Sequence, residues 1–238
     1  MDVSAEPAPN PGYLAFHRPR FDFVLRLVEA ERKGRDARIL DVGPSPLTDM
    51  LRGRLKVPVD TLGLEAERDT GQGKHFRFDL NDAQERERWR LDLGPYEVIV
   101  FAEVIEHLYT APELVLAYLA RLLSPGGVLI LQTPNAVSLR KRVKLALGRH
   151  PFERIRTSRS NPGHFREYTL AELAGLLRES GFRIRRHSMR FYFDARFAVH
   201  HAGDERPRTV RGLVSNVVYR LLPPSLREGI TVVAERAG

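Results

Sequence analysis

The sequence predicts a doubly wound α/β fold with a seven-stranded sheet, on three observations. From Arg38 onward, short apolar runs alternate with amphipathic segments. The runs are continuous rather than alternating, which marks strands buried on both faces. Helix-like segments separate them, as parallel strands with right-handed crossovers require. The length agrees: 238 residues fall between one and two domains at about 150 residues each, and α/β folds of this size are commonly single.

Residues 1–12 carry three prolines and little apolar content, so they read as a flexible tail, leaving 13–238 as one domain. Pro19 suits the start of a helix over Phe21–Lys33, where Phe21, Val24, Leu25 and Val28 repeat at helical spacing. Ile39–Val42 is the first strand and Leu47–Leu55 the helix after it. Val59–Leu64 and Phe76–Phe78 are the next strands, followed by a helix candidate at Ala83–Trp89. The Val98–Phe101 strand leads to the Pro112–Leu123 helix. Leu123-Ser-Pro-Gly-Gly127 is a turn signal feeding the fifth strand, Val128–Leu131. Over Ala136–Leu147, Leu139, Val143 and Leu147 share one helical face. Thr169–Ser180 is a helix with Thr169 as N-cap, Glu172 at the capping-box position and Gly181 just past the end. Phe182–Arg186 and Ile230–Ala234 are the last strands, with a helix over Val210–Leu222 between them.

Hydrophobic residues make up 42% and charged residues 29%, an ordinary balance for a soluble globular chain that excludes disorder, collagen and coiled coil. There is no Cys, so disulfides, thiolate catalysis and Cys-ligated metal centres are excluded. No run approaches the roughly 18 apolar residues of a spanning helix, and no signal pattern opens the chain, so a cytoplasmic location is expected. The net charge of +8 is concentrated. Between Ala136 and Arg166 stand Arg140, Lys141, Arg142, Lys144, Arg149, Arg154, Arg156, Arg159 and Arg166, against Glu153 alone. Such a stretch is either a solvated loop or a basic cap for phosphate, nucleic acid or an anionic membrane. Residues 136–166 and 189–229 are therefore expected to be cap segments. Within the second, Phe191, Tyr192 and Phe193 either line an apolar pocket or pack within the fold, and His200-His201 is expected to be solvated.

The first strand runs into Gly43, where a bare backbone can approach a ligand at a helix N-terminus. Ser45 and Leu47 occupy the places of the second and third glycines of a dinucleotide fingerprint, which disfavours a nicotinamide enzyme. Glu65 lies 24 residues after Asp41, at about the distance where an acid accepts ribose hydroxyls. Asp79 follows the third strand, where a carboxylate can accept from an exocyclic amine. Three acids at successive strand ends point to a nucleoside ligand.

These segments, with Phe101-Ala-Glu-Val-Ile-Glu-His-Leu108, Leu123-Ser-Pro-Gly-Gly127 and Gln132-Thr-Pro-Asn135, stand in the order and spacing of a known family. The chain resembles the class I S-adenosylmethionine-dependent methyltransferases over roughly Arg38 to Phe182, nearest to the quinone-biosynthesis and small-molecule branch with a Glu-His-Leu signature. The resemblance implies S-adenosylmethionine as cofactor on a Rossmann-like sheet. It implies that Asp41 and Gly43 line the methionine end, Glu65 holds the ribose, Asp79 and Leu80 flank the adenine, and Ala102 and Glu103 close the floor. The Pro44-Ser-Pro46 loop departs from the family's glycine-rich loop, which leaves the contact of Ser45 open.

Methyl transfer to an alcohol or phenol benefits from a general base, and histidine suits that task near neutrality. His107, just past the fourth strand, is either that base or a residue bonding its own turn. His164, in Gly163-His-Phe-Arg-Glu-Tyr-Thr169, is either an acceptor-side residue, with Tyr168 beside it, or a loop tie. Asn135 and Arg140 are further acceptor-side candidates, Asn135 with a turn residue as its alternative. Glu103, Glu106 and His107 could be grouped as a metal cluster, but carboxylate-rich helix starts are common without metal, and no metal is expected. The expected activity is methyl transfer to an oxygen of a small molecule, saccharide or lipid-linked intermediate, with an anionic acceptor and peripheral membrane contact among the expectations. Two alternatives stand beside it. A nucleic-acid methyltransferase would fit the basic cap, but no Asn-Pro-Pro-Tyr motif or separate RNA-binding module is present. A non-catalytic nucleoside-binding module with a basic arm is the other.

Overall fold

In the computed structural model, residues 11–34, 36–157, 162–197 and 209–237 are described. The strands are β1 (Ile39–Val42), β2 (Val59–Gly63), β3 (Arg68–Asp69), β4 (Lys74–Arg77), β5 (Tyr96–Ala102), β6 (Leu123–Pro134), β7 (Phe182–Arg190) and β8 (Gly229–Arg236). They form one mixed sheet in the order β3-β4-β2-β1-β5-β6-β8-β7. The five strands from β4 to β6 in that order are parallel, while β8 runs against both β6 and β7. The chain leaves β1 toward β2 and β4, then returns to the other side of β1 as β5, so the switch point lies between β1 and β5. Ligands of open α/β sheets bind beyond the carboxyl ends of the strands at such a point.

Neighbouring residues of the central strands feed opposite layers. Leu40, Ile99, Phe101, Leu129 and Leu131 pack into one core, with α3 (Pro112–Leu122) and α5 (Leu170–Glu179). Ile39, Val98, Val100, Val128 and Ile130 pack into the other, with α1 (Pro11–Glu31) and α2 (Pro46–Leu55). Burial on both faces is why the apolar runs are continuous in sequence. No helix among the described residues is long and apolar enough to cross a membrane.

The sheet has eight strands rather than the expected seven. The addition, β3, is a two-residue exposed strand pairing antiparallel with the edge of β4, too short and polar to leave a periodic signal. The expected helix at Ala83–Trp89 is instead two 3₁₀ turns, Leu80–Gln84 and Arg86–Arg88. Trp89 turns to extended backbone, placing its indole N–H on the Ala83 carbonyl at 2.9 Å and its ring against Tyr118. The first helix starts at Pro11, so Pro19 lies inside it rather than at its start, and residues 1–10 of the expected tail lie outside the described residues. Contacts of Phe16 and His17 with Phe193 hold the turns before Pro19 in place, offsetting the backbone bond that proline removes. The Leu123-Ser-Pro-Gly-Gly127 turn is absorbed into β6, whose register slips between Tyr96 and Val98.

The basic segment forms α4 (Leu139–Ala146) and then irregular chain. Lys141 is buried there, so it is not part of a solvated charge run. Arg159 and His200-His201 lie outside the described residues. Thr169 caps α5 as expected, accepting from the Glu172 N–H at 3.2 Å, but the Glu172 carboxylate pairs with Arg166 rather than closing a capping box. Phe191, Tyr192 and Phe193 do not share a pocket. Phe191 stacks on Tyr219 of α6 (Thr209–Leu221), Tyr192 stacks on Phe23, and Phe193 stacks on Phe16, so the three rings fasten α6 and α1 to the sheet edge.

Candidate functional site

Asp41 is the penultimate residue of β1 and is buried, with the Thr48 hydroxyl donating to its carboxylate at 2.6 Å. Burial pushes its pKa up to about 7, against the opposing pull of Thr48, Arg52 and Arg20. Gly43 follows at φ +74°, donating its N–H to the Leu62 carbonyl at 2.9 Å. A Cβ at Gly43 would lie 2.8 Å from a methyl of Val104, so only glycine fits this bend between β1 and the β5 loop. Ser45 then caps α2, its hydroxyl accepting from the Leu47 N–H at 3.2 Å while its own N–H donates to Thr48 Oγ1 at 3.1 Å. The hydroxyl expected to touch the cofactor is therefore committed to the helix cap. Pro44 and Pro46 stiffen the loop on both sides of it.

Glu65 lies just past β2 with its side chain half exposed and its carboxylate 3.3 Å from His75 Nε2. His75 is buried with Nδ1 on the Thr61 hydroxyl at 2.8 Å, and burial keeps its pKa below the ordinary value despite Glu65. Asp79 caps the first 3₁₀ turn, one oxygen accepting from the N–H and side-chain amide of Asn81 at 2.9 and 3.0 Å. Leu80 is buried in the core beneath it. Glu103, next to Ala102 at the end of β5, has φ +58°. A left-handed glutamate is uncommon and costs strain of about 1–3 kcal/mol, of the kind stored at functional sites. Burial raises its carboxyl pKa, offset in part by Arg20.

Arg20 was not among the residues the sequence singled out. It sits on α1 and is 5% exposed, yet its Nε has no hydrogen-bond partner. Its charge reaches Asp41, Glu103 and Glu106. The available signal was an arginine on the buried stripe with Val24 and Leu27, where a hydrophobe belongs. A buried guanidinium with an unpartnered Nε, acting electrostatically on two carboxyl groups, suits a ligand end that carries both a carboxylate and an ammonium group.

The second half of the site is built on the 3₁₀ turn Ile105–His107. Glu106 is fully buried and takes the Thr133 hydroxyl on Oε2 at 3.0 Å. Burial and the neighbouring Glu103 raise its pKa. Its carbonyl accepts the N–H groups of Phe165 and Arg166, which stitches the segment after the basic insertion to this turn. His107 bonds the Gly163 carbonyl through Nδ1 at 2.9 Å, and His164 meets its ring edge-to-face with centroids 4.8 Å apart. Burial lowers the His107 pKa. His164 Nδ1 bonds Glu167 at 3.0 Å, and Glu167 also pairs with Lys141. Burial pushes the Glu167 carboxyl up, but His164 and Lys141 together outweigh it and hold it below the usual range. A carbonyl and a carboxylate only accept, so both imidazoles carry a proton on Nδ1, and in the neutral ring Nε2 is the free acceptor.

The structure thus brings His107 and His164 together. It does not place Asn135 or Tyr168 beside them as free groups. The Asn135 amide donates to the Ser225 and Arg227 carbonyls at 3.1 and 2.8 Å and accepts from the Val137 N–H, so it serves as a clamp. Tyr168 is 2% exposed and packs in the core, where burial pushes its phenol up to about 12. Arg140 is exposed on α4. A broad cleft lined by Arg38, Asp60, Lys74 and Asp92 lies at the amino ends of the strands, away from all of these groups.

A family described as "Methyltransferase domain" matches residues 14–187. A Mycolicibacterium smegmatis protein described as a "Probable S-adenosylmethionine-dependent methyltransferase" is 35% identical over 88 residues, 37% of this chain. The matched stretch spans 29% of that protein's length. Among solved structures, an S-adenosylmethionine-dependent methyltransferase from Mesorhizobium loti superposes with a TM-score of 0.54 at 18% identity, covering 90% of this chain and 96% of that one. The magnesium protoporphyrin IX methyltransferase of Synechocystis PCC 6803, solved with bound SAH, superposes with a TM-score of 0.54 at 14% identity, covering 98% and 90%. At these identities the likeness is one of fold, a Rossmann-like methyltransferase sheet.

Proposed function

Because the chain belongs to the methyltransferase-domain family, we propose that it transfers the methyl group of S-adenosylmethionine to an oxygen of a small molecule, saccharide or lipid-linked acceptor. The observation that carries this reading is the buried Arg20 guanidinium, its Nε without a partner and its charge acting on Asp41 and Glu103 at the carboxyl ends of β1 and β5. When bound, S-adenosylmethionine supplies an electrophilic methyl group on a sulfonium centre. Arg20 and Asp41 would hold its amino-acid end, with the Gly43 bend beneath. Glu65 would accept from the ribose, and Asp79 with the Leu80 backbone would flank the adenine. The bare Nε2 atoms of His107 and His164 are the groups available to an acceptor hydroxyl, and Glu167 holds the His164 ring in orientation. Fixing an acceptor near its in-line position can itself supply much of the rate, up to about 7–11 kcal/mol in ideal cases.

Surface composition supports a lipid-linked or otherwise anionic acceptor. On α4, Arg140 and Arg142 are exposed beside exposed Val143 and Leu145. On α6, Val210, Leu213, Val214, Val217 and Leu221 are exposed beside Arg211 and Arg220. Basic helices with uncovered apolar faces suit the interface of an anionic membrane. Titration calorimetry with S-adenosylmethionine and its demethylated product is the first test, with stoichiometric binding expected. Methyl-labelled cofactor incubated with lipid and saccharide fractions then identifies the acceptor. No binding at millimolar cofactor would sink the reading.

A further inference from the structure

We propose that Glu106, His107 and His164 form a binding site for one divalent transition-metal ion; its role in the reaction rests on the methyl-transfer reading, but its existence does not. One ligand atom from each residue can be chosen so that all lie within 4.8 Å of one another. Glu106 is fully buried, and its Oε1 has no hydrogen-bond partner. That oxygen stands 4.0 Å from His107 Nε2. A proton shared between the two would need a separation below about 3 Å. An orphaned buried carboxyl oxygen and two imidazole rings each offer an atom that can ligate an ion. A cation satisfies all three at once.

The surroundings of the two rings fit the same conclusion. A metal-bound histidine donates its other N–H to a carbonyl or carboxylate, which fixes the tautomer and ring plane. His107 does this to the Gly163 carbonyl and His164 to Glu167, at 2.9 and 3.0 Å. Glu167 is in turn anchored by Lys141, whose ammonium also bonds the Asn135 carbonyl at 2.9 Å. Both rings are partly solvent-accessible, at 37% and 28% of their side-chain surface, so an ion can reach them. Two imidazoles with one carboxylate select a first-row transition ion over Mg²⁺ or Ca²⁺, and three protein ligands leave positions open for water or an acceptor oxygen, so with the ion bound the two rings would act on an acceptor through it rather than as direct bases. The adjacent Glu106-His107 pair alone would not be a site. The third ligand arrives only because Phe165 and Arg166 bond the Glu106 carbonyl, which fixes the far end of the basic insertion against the β5 turn.

The test uses the full untagged chain, stripped with chelator and titrated with Co(II) by calorimetry and visible absorption. One equivalent is expected, with a d–d spectrum of an N/O-ligated ion. His107→Ala and His164→Ala should each abolish that spectrum while S-adenosylmethionine binding and the far-ultraviolet spectrum are kept. Glu167→Gln should weaken Co(II) by about 10–100-fold. Wild-type and His164→Ala chains binding Co(II) equally, or no stoichiometric binding by folded wild type, would overturn the site. Cofactor binding without Co(II) binding removes the metal and leaves the methyl-transfer reading. Co(II) binding without cofactor binding does the reverse.

Discussion

Lys141 and Glu167 form a buried ion pair, with only 8% and 6% of their side chains exposed, although Lys141 belongs to the most basic stretch of the chain. The sequence pattern groups it with Arg140, Arg142 and Lys144 as one charged surface. The fold divides them: Lys141 turns inward and ties α4 to the segment that carries His164, while Arg140 and Arg142 stay outside.

That division predicts opposite outcomes for neighbouring substitutions. Lys141→Ala removes the cationic partner of the buried Glu167 carboxylate, leaving it the His164 hydrogen bond, and should cost about 1.5–3 kcal/mol in urea unfolding. Arg140→Ala and Arg142→Ala remove exposed side chains and should stay within about 0.5 kcal/mol of wild type. Equal losses at Lys141 and Arg140 would show that the pair is not buried in solution.

Arg20 and Glu65 make separable predictions about the cofactor. Arg20→Met removes a charged partner worth about 1.5–3 kcal/mol, a loss of roughly 10- to 150-fold for S-adenosylmethionine and S-adenosylhomocysteine. Methylthioadenosine, which lacks the amino-acid end, should bind Arg20→Met as it binds wild type. Glu65→Ala should weaken all three ligands, because each has the ribose. A loss of methylthioadenosine affinity in Arg20→Met would move Arg20 away from the amino-acid end.

Asp41 predicts a pH dependence of stability. Its folded pKa, about 7, lies above the ordinary value of 3.8. Between those values the folded chain binds more protons at this site than the unfolded chain, so stability falls as pH rises through the window and levels off above it. A shift of that size corresponds to up to about 4 kcal/mol. Asp41→Asn can still accept from Thr48 and should flatten this fall, making the variant more stable than wild type at pH 8 while cofactor affinity drops. Parallel pH–stability curves for wild type and Asp41→Asn would assign the dependence to other groups.

The parts of the site legible in sequence are those whose positions follow from strand ends. Asp41, Gly43, Glu65, Asp79 and Glu103 all fall at the carboxyl edge because continuous apolar runs fix where each parallel strand stops. The Glu106–His164 cluster was not legible, since it depends on a loop returning across the sheet through two backbone bonds to one carbonyl. Asn135 and Tyr168 looked like acceptor-side groups because they follow strand and motif positions. They pair with each other in an isolated bridge instead, and the Asn135 amide is spent on the Ser225 and Arg227 carbonyls far along the chain. No local pattern announces a contact of that range.

The outer faces of α4 and α6 carry the last prediction. Arg140, Arg142 and Lys144 are the basic residues of α4 left after Lys141 turns inward, and Val143, Leu145 and Leu147 are exposed among them. Each basic side chain near an anionic bilayer contributes about 1 kcal/mol, over a range set by the Debye length. Arg140→Glu, Arg142→Glu and Lys144→Glu combined should therefore weaken binding to phosphatidylglycerol vesicles by a hundredfold or more, on the order of 3 kcal/mol, at low salt. The difference should shrink as salt rises. Val214→Glu and Leu221→Glu on α6 should also weaken binding, and that loss should persist at high salt, because it removes apolar insertion rather than charge attraction. Neutral phosphatidylcholine vesicles supply the control, where only the α6 variants should differ from wild type. If the charge-reversed α4 variant sediments with phosphatidylglycerol vesicles as wild type does at low salt, the basic surface has no membrane ligand. The cofactor site would stand unaffected, because it rests on Arg20, Asp41 and Glu65.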